Sequence, residues 1–206
     1  GYDYANGRYY MAWNDRRGGL SVGYDIYGSR VTPAGSLMDG TGILVSGATG
    51  NQFRPTVTDR RPAAAINNHI VAWTDYRGGS QADIYGVYID GGGTIVGSEV
   101  VVSTNATEQA NVVGDVDWIR TKKALIGYIT QHPVGNYEIQ GALMNQTGGV
   151  TGDYTIVGEA TGASDEQRAE AVTYATDGVT DYGFLVVWTD RRNGTDYDIY
   201  AIKVWP

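Results

Sequence analysis

Three loops in this chain place a carboxylate and a guanidinium two residues apart, just behind an indole. They are Trp13-Asn14-Asp15-Arg16-Arg17, Trp73-Thr74-Asp75-Tyr76-Arg77 and Trp188-Thr189-Asp190-Arg191-Arg192, and a further acid follows each at Asp25, Asp83 and Asp198. Two chemistries suit such loops. Calcium takes about six to eight oxygen ligands, which Asp75, Asp83, Asp190, Asp196 and Asp198 could help supply. Alternatively, each Asp closes its own turn through backbone N–H groups, and each Arg pairs with the acid that opens the next strand. A fourth, degenerate copy separates the two, because its Asp has become Thr130 and its Arg has become His132 together, while the following acid persists as Glu138. Coupled loss favours pairing. Trp13, Asp15, Arg17, Trp73, Asp75, Arg77, Trp188, Asp190 and Arg192 are therefore read as determinants of the repeat, and calcium as an optional ligand, with no cofactor required.

Carboxylates could also do acid–base work on a glycoside. The degenerate unit holds Asp115, Asp117, Trp118, His132 and Glu138, and a pair such as Asp115 and Asp117 near a central mouth would suit hydrolysis. Drift in a worn repeat explains the same residues. Aromatic side chains outside the repeat pattern, Tyr24, Trp118, Tyr137 and Tyr197, are the better candidates for stacking on a ligand. Other catalytic templates are missing: the histidines are only His69 and His132, at non-equivalent positions, and the Gly-rich stretches lack the Lys of a phosphate loop.

The elements that must carry these residues repeat. Trp13, Trp73, Tyr128 and Trp188 stand 60, 55 and 60 residues apart, each closing an apolar run rich in β-branched and aromatic residues. A short polar loop leads to a second run, Asp25-Ile26-Tyr27-Gly28, Asp83-Ile84-Tyr85-Gly86, Glu138-Ile139-Gln140-Gly141 or Asp198-Ile199-Tyr200-Ala201, which makes each pair an antiparallel hairpin. A third run follows a Gly-rich turn, and another follows a Gln marker at Gln52, Gln109 or Gln167. Val57, Val112 and Val172 each precede their aromatic anchor by 16 residues. Four strands per unit, repeated, predict an all-β propeller of four four-stranded antiparallel blades. One domain spans 1–206, with units at roughly 1–51, 52–108, 109–166 and 167–206. The first inner strand is short, around Tyr2-Asp3-Tyr4, and the last unit lacks an outer strand, so the ring is either closed by an incomplete blade, part of a larger ring, or completed by a neighbour. The Trp positions are expected to fill the space between blades.

Composition narrows the partners. Net charge is −8 with no basic block, which excludes a phosphate-gripping surface and hence nucleic acid. There is no cysteine, so disulfides and thiolate chemistry are excluded. No apolar stretch reaches the ~18 residues of a membrane span. The start at Gly1 is expected to reflect processing or excision. Sequons at Asn105, Asn145 and Asn193 fall in predicted loops, as acceptors in an exported protein would.

The Trp-x-Asp-x-Arg loop followed by Asp-Ile-Tyr-Gly resembles the propeller-type repeats of large secreted and cell-surface proteins of bacteria and archaea. The resemblance covers essentially the whole chain and implies adhesion, glycan binding or surface assembly. The expected function is a non-catalytic extracellular module that recognises a glycan or surface protein through loops at one end of the propeller. The alternatives are a subunit that self-assembles through open strand edges, and a propeller glycosidase.

Overall fold

The computed structural model describes residues 1–19, 23–61, 67–105, 107–117, 122–131, 137–158, 167–177, 179–191 and 195–205. They form a β-propeller of four antiparallel sheets. Blade 1 holds β1 (Tyr2–Asp3), β2 (Arg8–Asp15), β3 (Asp25–Val31) and β4 (Ile43–Ser46). Blade 2 holds β5 (Gln52–Val57), β6 (His69–Asp75), β7 (Asp83–Ile89) and β8 (Ile95–Ser103). Blade 3 holds β9 (Gln109–Val116), β10 (Lys123–Gln131), β11 (Tyr137–Asn145) and β12 (Val150–Val157). Blade 4 has three described strands, β13 (Gln167–Thr176), β14 (Asp181–Asp190) and β15 (Asp198–Val204). Each sheet is a meander in chain order, inner strand first.

The hairpin register is the same in three blades: Trp13 lies opposite Tyr27, Trp73 opposite Tyr85 and Trp188 opposite Tyr200. The core lies between blades, because alternate residues of one strand serve opposite interfaces. In β6, Val71 and Trp73 pack toward Tyr10, Ile26 and Val45 of blade 1, while Ile70 and Ala72 pack toward Val112, Ile126 and Tyr128 of blade 3. Every residue of β6 is buried, which is why its sequence reads as a continuous apolar run rather than an alternation. Leu125, Ile129 and Leu143 join Phe184, Val186 and Trp188 in the interface of blades 3 and 4.

The aromatic anchors of blades 2, 3 and 4 thus each face the blade before them. Trp73, Tyr128 and Trp188 are buried on that side, whereas Trp13 is half-buried. The outward faces of the end blades expose Tyr9, Met11 and Leu44 on one side and Leu185 and Ile199 on the other.

The Gln markers join blades end to end. Gln52 N–H donates to Tyr24 O at 2.7 Å and Gln109 N–H to Ala82 O at 2.9 Å, so each inner strand begins hydrogen-bonded to the previous blade. Their buried side-chain amides donate back into the connection just crossed, Gln52 to Ala48 O at 3.2 Å and Gln109 to Ser103 Oγ at 2.7 Å.

Candidate functional site

The Trp-Asp-Arg loops are closed clasps. Trp73 Nε1–H donates to Asp75 Oδ2 at 2.8 Å, Arg77 N–H to Asp75 Oδ1 at 2.8 Å, and Arg77 Nη2 to Asp75 Oδ2 at 2.6 Å. The guanidinium then lies over the Tyr85 ring at 3.7 Å and reaches Glu99 at 2.7 Å. Blade 1 repeats the clasp, with Trp13, Arg17 N–H and Arg17 Nη2 all donating to Asp15, and Arg17 over Tyr27 at 3.8 Å. In blade 4, Trp188 Nε1 donates to buried Asp190 at 3.1 Å.

The expected partner of the arginines needs correcting. Arg17 and Arg77 turn back to the Asp of their own loop, not forward to Asp25 and Asp83. The two-residue spacing lets one carboxylate take both the backbone N–H and the guanidinium, and the next strand offers its Tyr face instead. Asp25 and Asp83 are left beside Asp15 and Asp75, and burial first, then that like charge, raises both carboxyls. Among the described residues no three acidic or imidazole groups converge as a metal site. Asp75 spends its oxygens on Trp73 and Arg77, while Asp196 and Asp198 are exposed.

The ligand-binding candidates do not meet. Tyr24 meets Phe53 in a tilted ring contact at 5.1 Å, with Arg16 over it at 5.3 Å. Tyr137 packs on the core between blades 3 and 4, and Tyr197 is exposed with Arg191 at 5.9 Å. Asn105 reaches Gln140 at 3.4 Å, and Asn145 caps its turn by accepting from Thr147 and Gly149. Trp118, His132, Arg192 and Asn193 lie outside the described residues.

Two concentrations of functional groups sit at opposite ends of the inner strands. Where the inner strands begin, Asn14, Phe53, Arg54, Thr74, Tyr76, Glu108 and Ala110 line a cavity of about 450 Å³. Tyr76 donates to Glu108 Oε1 at 2.7 Å, and burial, then that bond, pushes the phenol up to about 12. Arg54 and Asn111 hold left-handed backbone, φ 52° and 53°, and their side chains meet. Only one carboxylate, Glu108, lines this cavity among the described residues.

At the far end the inner strands finish in carboxylates. Asp115 is half-buried and accepts from Val116 N–H and Tyr174 N–H, both at 2.7 Å, so it also ties blade 3 to blade 4. Burial raises its carboxyl, the N–H donors offset part of the rise, and the charge of Asp59 adds to it. Asp59 accepts from Tyr2 N–H at 2.8 Å and meets Arg61 at 3.4 Å, with its side chain 27% exposed. Tyr4 lies within the fields of both acids, and Arg61 covers its ring at 3.4 Å. Tyr2 bridges Tyr4 and Tyr9 at 4.8 and 5.0 Å, and the latter two are exposed. Asp117, one residue beyond β9, is fully buried. Sequence reasoning found Asp115 but missed Asp59, Tyr4 and Tyr9. Asp59 stands at the end of an inner strand, two residues past the Val57 marker, and that position was the available signal.

No family model and no curated protein sequence matches the chain. Solved structures do. The endo-arabinase from Bacteroides thetaiotaomicron VPI-5482 is 15% identical with a TM-score of 0.56, over 97% of this chain and 72% of that one. An alpha-L-arabinofuranosidase from Lactobacillus brevis is 11% identical with a TM-score of 0.52, over 98% of this chain and 71% of that one. At these identities the likeness shows the fold and carries no residue across. It nevertheless corrects the expectation of a non-catalytic module, since both of these structures are of glycosidases.

Proposed function

We propose that this protein hydrolyses glycosidic bonds, with arabinose-containing glycans as its substrate class. The observation that carries the reading is the acid pair at the far mouth: half-buried Asp115, raised by burial, within the field of Asp59. Glycoside hydrolysis asks for two carboxyl groups whose surroundings set them apart, one to protonate the leaving oxygen as the glycosidic bond breaks and one to form the new bond at the anomeric carbon, by attacking it or by deprotonating the water that does. Asp115 takes the first role and Asp59 the second. Tyr4, partly exposed and within the field of both acids, gives a sugar an aromatic neighbour beside them. The likeness to an endo-arabinase and an arabinofuranosidase supports the substrate class.

The test is release of reducing ends from linear arabinan and of nitrophenol from an aryl α-L-arabinofuranoside. Asp115→Asn and Asp59→Asn should each lower kcat by about 10²- to 10⁴-fold while the circular dichroism stays that of the parent. Glu108→Gln, at the opposite mouth, should leave kcat unchanged. Loss in Glu108→Gln with activity kept in Asp115→Asn would move the chemistry to the other cavity. A parent protein inert on both substrates ends the reading.

A further inference from the structure

The near-mouth cavity holds two opposite charges that do not neutralise each other. Its described walls come from residues 14 to 110 on blades 1, 2 and 3, so neither terminus forms part of it. The Arg54 guanidinium meets the neutral amide of Asn111, and among the described residues neither Arg54 nor Glu108 makes an ion pair. The Glu108 carboxylate accepts from the neutral Tyr76 hydroxyl through Oε1 at 2.7 Å, which leaves Oε2 for another donor. Burial raises the Tyr76 phenol most, Glu108 adds to the rise and Arg54 opposes it, so both charges flank one hydroxyl. Arg54 and Asn111 hold left-handed backbone, φ 52° and 53°, which non-glycine residues seldom adopt and which recurs where ligands are clamped. On the same wall, Thr74 is 2% exposed and its hydroxyl has no hydrogen-bond partner among the described residues. The equivalent Thr130 of blade 3 spends its hydroxyl on Gln140 at 3.0 Å. Blade 2 carries Tyr85 at the Gln140 position, so Thr74 keeps its donor for whatever enters the cavity. Phe53 lies opposite Thr74 in the sheet, fixed between Tyr24 at 5.1 Å and Tyr76 at 6.0 Å.

We infer that this cavity binds a free α-amino acid with an apolar side chain, its carboxylate on Arg54 and Thr74 and its ammonium on Glu108. Charge decides the class. A zwitterion neutralises both side chains at once, whereas a neutral sugar neutralises neither. An inorganic anion would satisfy Arg54 but face Glu108, in a protein of net charge −8. The planar guanidinium suits a carboxylate, and the open Oε2 of Glu108 suits an ammonium. The apolar side chain then lies against Phe53 and Ala110. A volume of about 450 Å³ is that of a small-molecule site. The cavity stands at the opposite end of the inner strands from Asp59 and Asp115 and is independent of the hydrolase reading.

The probe is L-leucine, titrated into the 206-residue protein by calorimetry at low ionic strength. One molecule should bind per protein. Isocaproate, which lacks the ammonium, and isoamylamine, which lacks the carboxylate, should each bind roughly tenfold or more weakly. L-arabinose should not compete. This comparison uses the unmodified protein and does not depend on any variant folding. Glu108→Gln should erase the preference for L-leucine over isocaproate, and Arg54→Gln the preference over isoamylamine, each weakening L-leucine by roughly tenfold or more. Thr74→Val should weaken L-leucine a few-fold while the thermal midpoint stays unchanged or rises, because the lost hydroxyl has no partner within the fold. Absence of saturable L-leucine binding overturns the inference, as does equal affinity for either analogue. Displacement by L-arabinose, or unchanged affinity in either charge variant, overturns it too.

Discussion

Asp75 and Asp15 are the same residue of the same clasp in different surroundings, and they separate what the clasp contributes from what burial adds. Asp75 is fully buried and holds a buried indole N–H, whereas Trp13 and Arg17 around Asp15 are partly open. Asp75→Ala strands Trp73 Nε1 and an arginine beneath the blade 1 interface and should cost about 3 kcal/mol. Asp15→Ala should cost clearly less than Asp75→Ala, since water can replace the lost acceptor. Urea unfolding of both variants checks the contrast. Arg17, then Trp13, hold the Asp15 carboxyl down at about 2. A depressed carboxylate contributes stability above its unfolded value near 3.8 and loses it as pH falls toward 2. The clasp therefore resists mild acid.

The Asp-Ile-Tyr-Gly strand shows why an element requires a small residue at one place. A Cβ on Gly28 would lie 2.7 Å from Tyr10 Cε1, and one on Gly141 would lie 2.8 Å from Ile156 Cδ1 and 2.9 Å from Leu125 Cδ1. Side chains of neighbouring strands cross over the glycine, so the sheet packs only if that position is bare. Blade 4 carries Ala201 there, and it is exposed, consistent with the absence of a crossing side chain on that flank. Gly28→Ala should destabilise by about 1–3 kcal/mol through overpacking. Ala201→Gly should cost only the strand entropy of a glycine, about 0.5–1 kcal/mol. Thermal unfolding followed by circular dichroism would order the two. Inner strands carry a second shared device, a register shift between Phe53 and Thr56, between Ala110 and Val113, and between Ala169 and Ala171. Such bulges bend a strand and re-aim its side chains; in blades 2 and 3 they bring Arg54 and Asn111 together at the near mouth.

Across the whole molecule, stability depends on interfaces between consecutive blades, and one of them carries a titratable group. His69 is 2% exposed, stacks on Tyr10 of blade 1 at 5.5 Å, and donates through Nδ1–H to Thr58 O at 2.7 Å. Burial pulls its imidazole down to about 4. Between pH 6.5 and about 4 the unfolded chain therefore binds a proton that the folded one refuses, and stability falls as pH falls through that window. The slope should approach about 1.4 kcal/mol per pH unit. His69→Gln should flatten the profile between pH 6.5 and 4 in equilibrium unfolding, whatever it costs at pH 7.

What the chain determined by itself was the blade. Hairpin register follows from short loops and a period-two pattern within about twenty residues, so strand order, the Trp–Tyr pairing and the shortened first strand were legible from Trp13, Trp73, Tyr128 and Trp188. Tertiary structure decided everything that passes between blades. Which neighbour each Trp faces depends on surfaces brought together when blades pack, and no local spacing encodes it. The carboxylates at the far mouth belong to the same class. Asp115 was a candidate in sequence and Asp59 was not, and only the convergence of inner strands from different blades sets their burial and their mutual field.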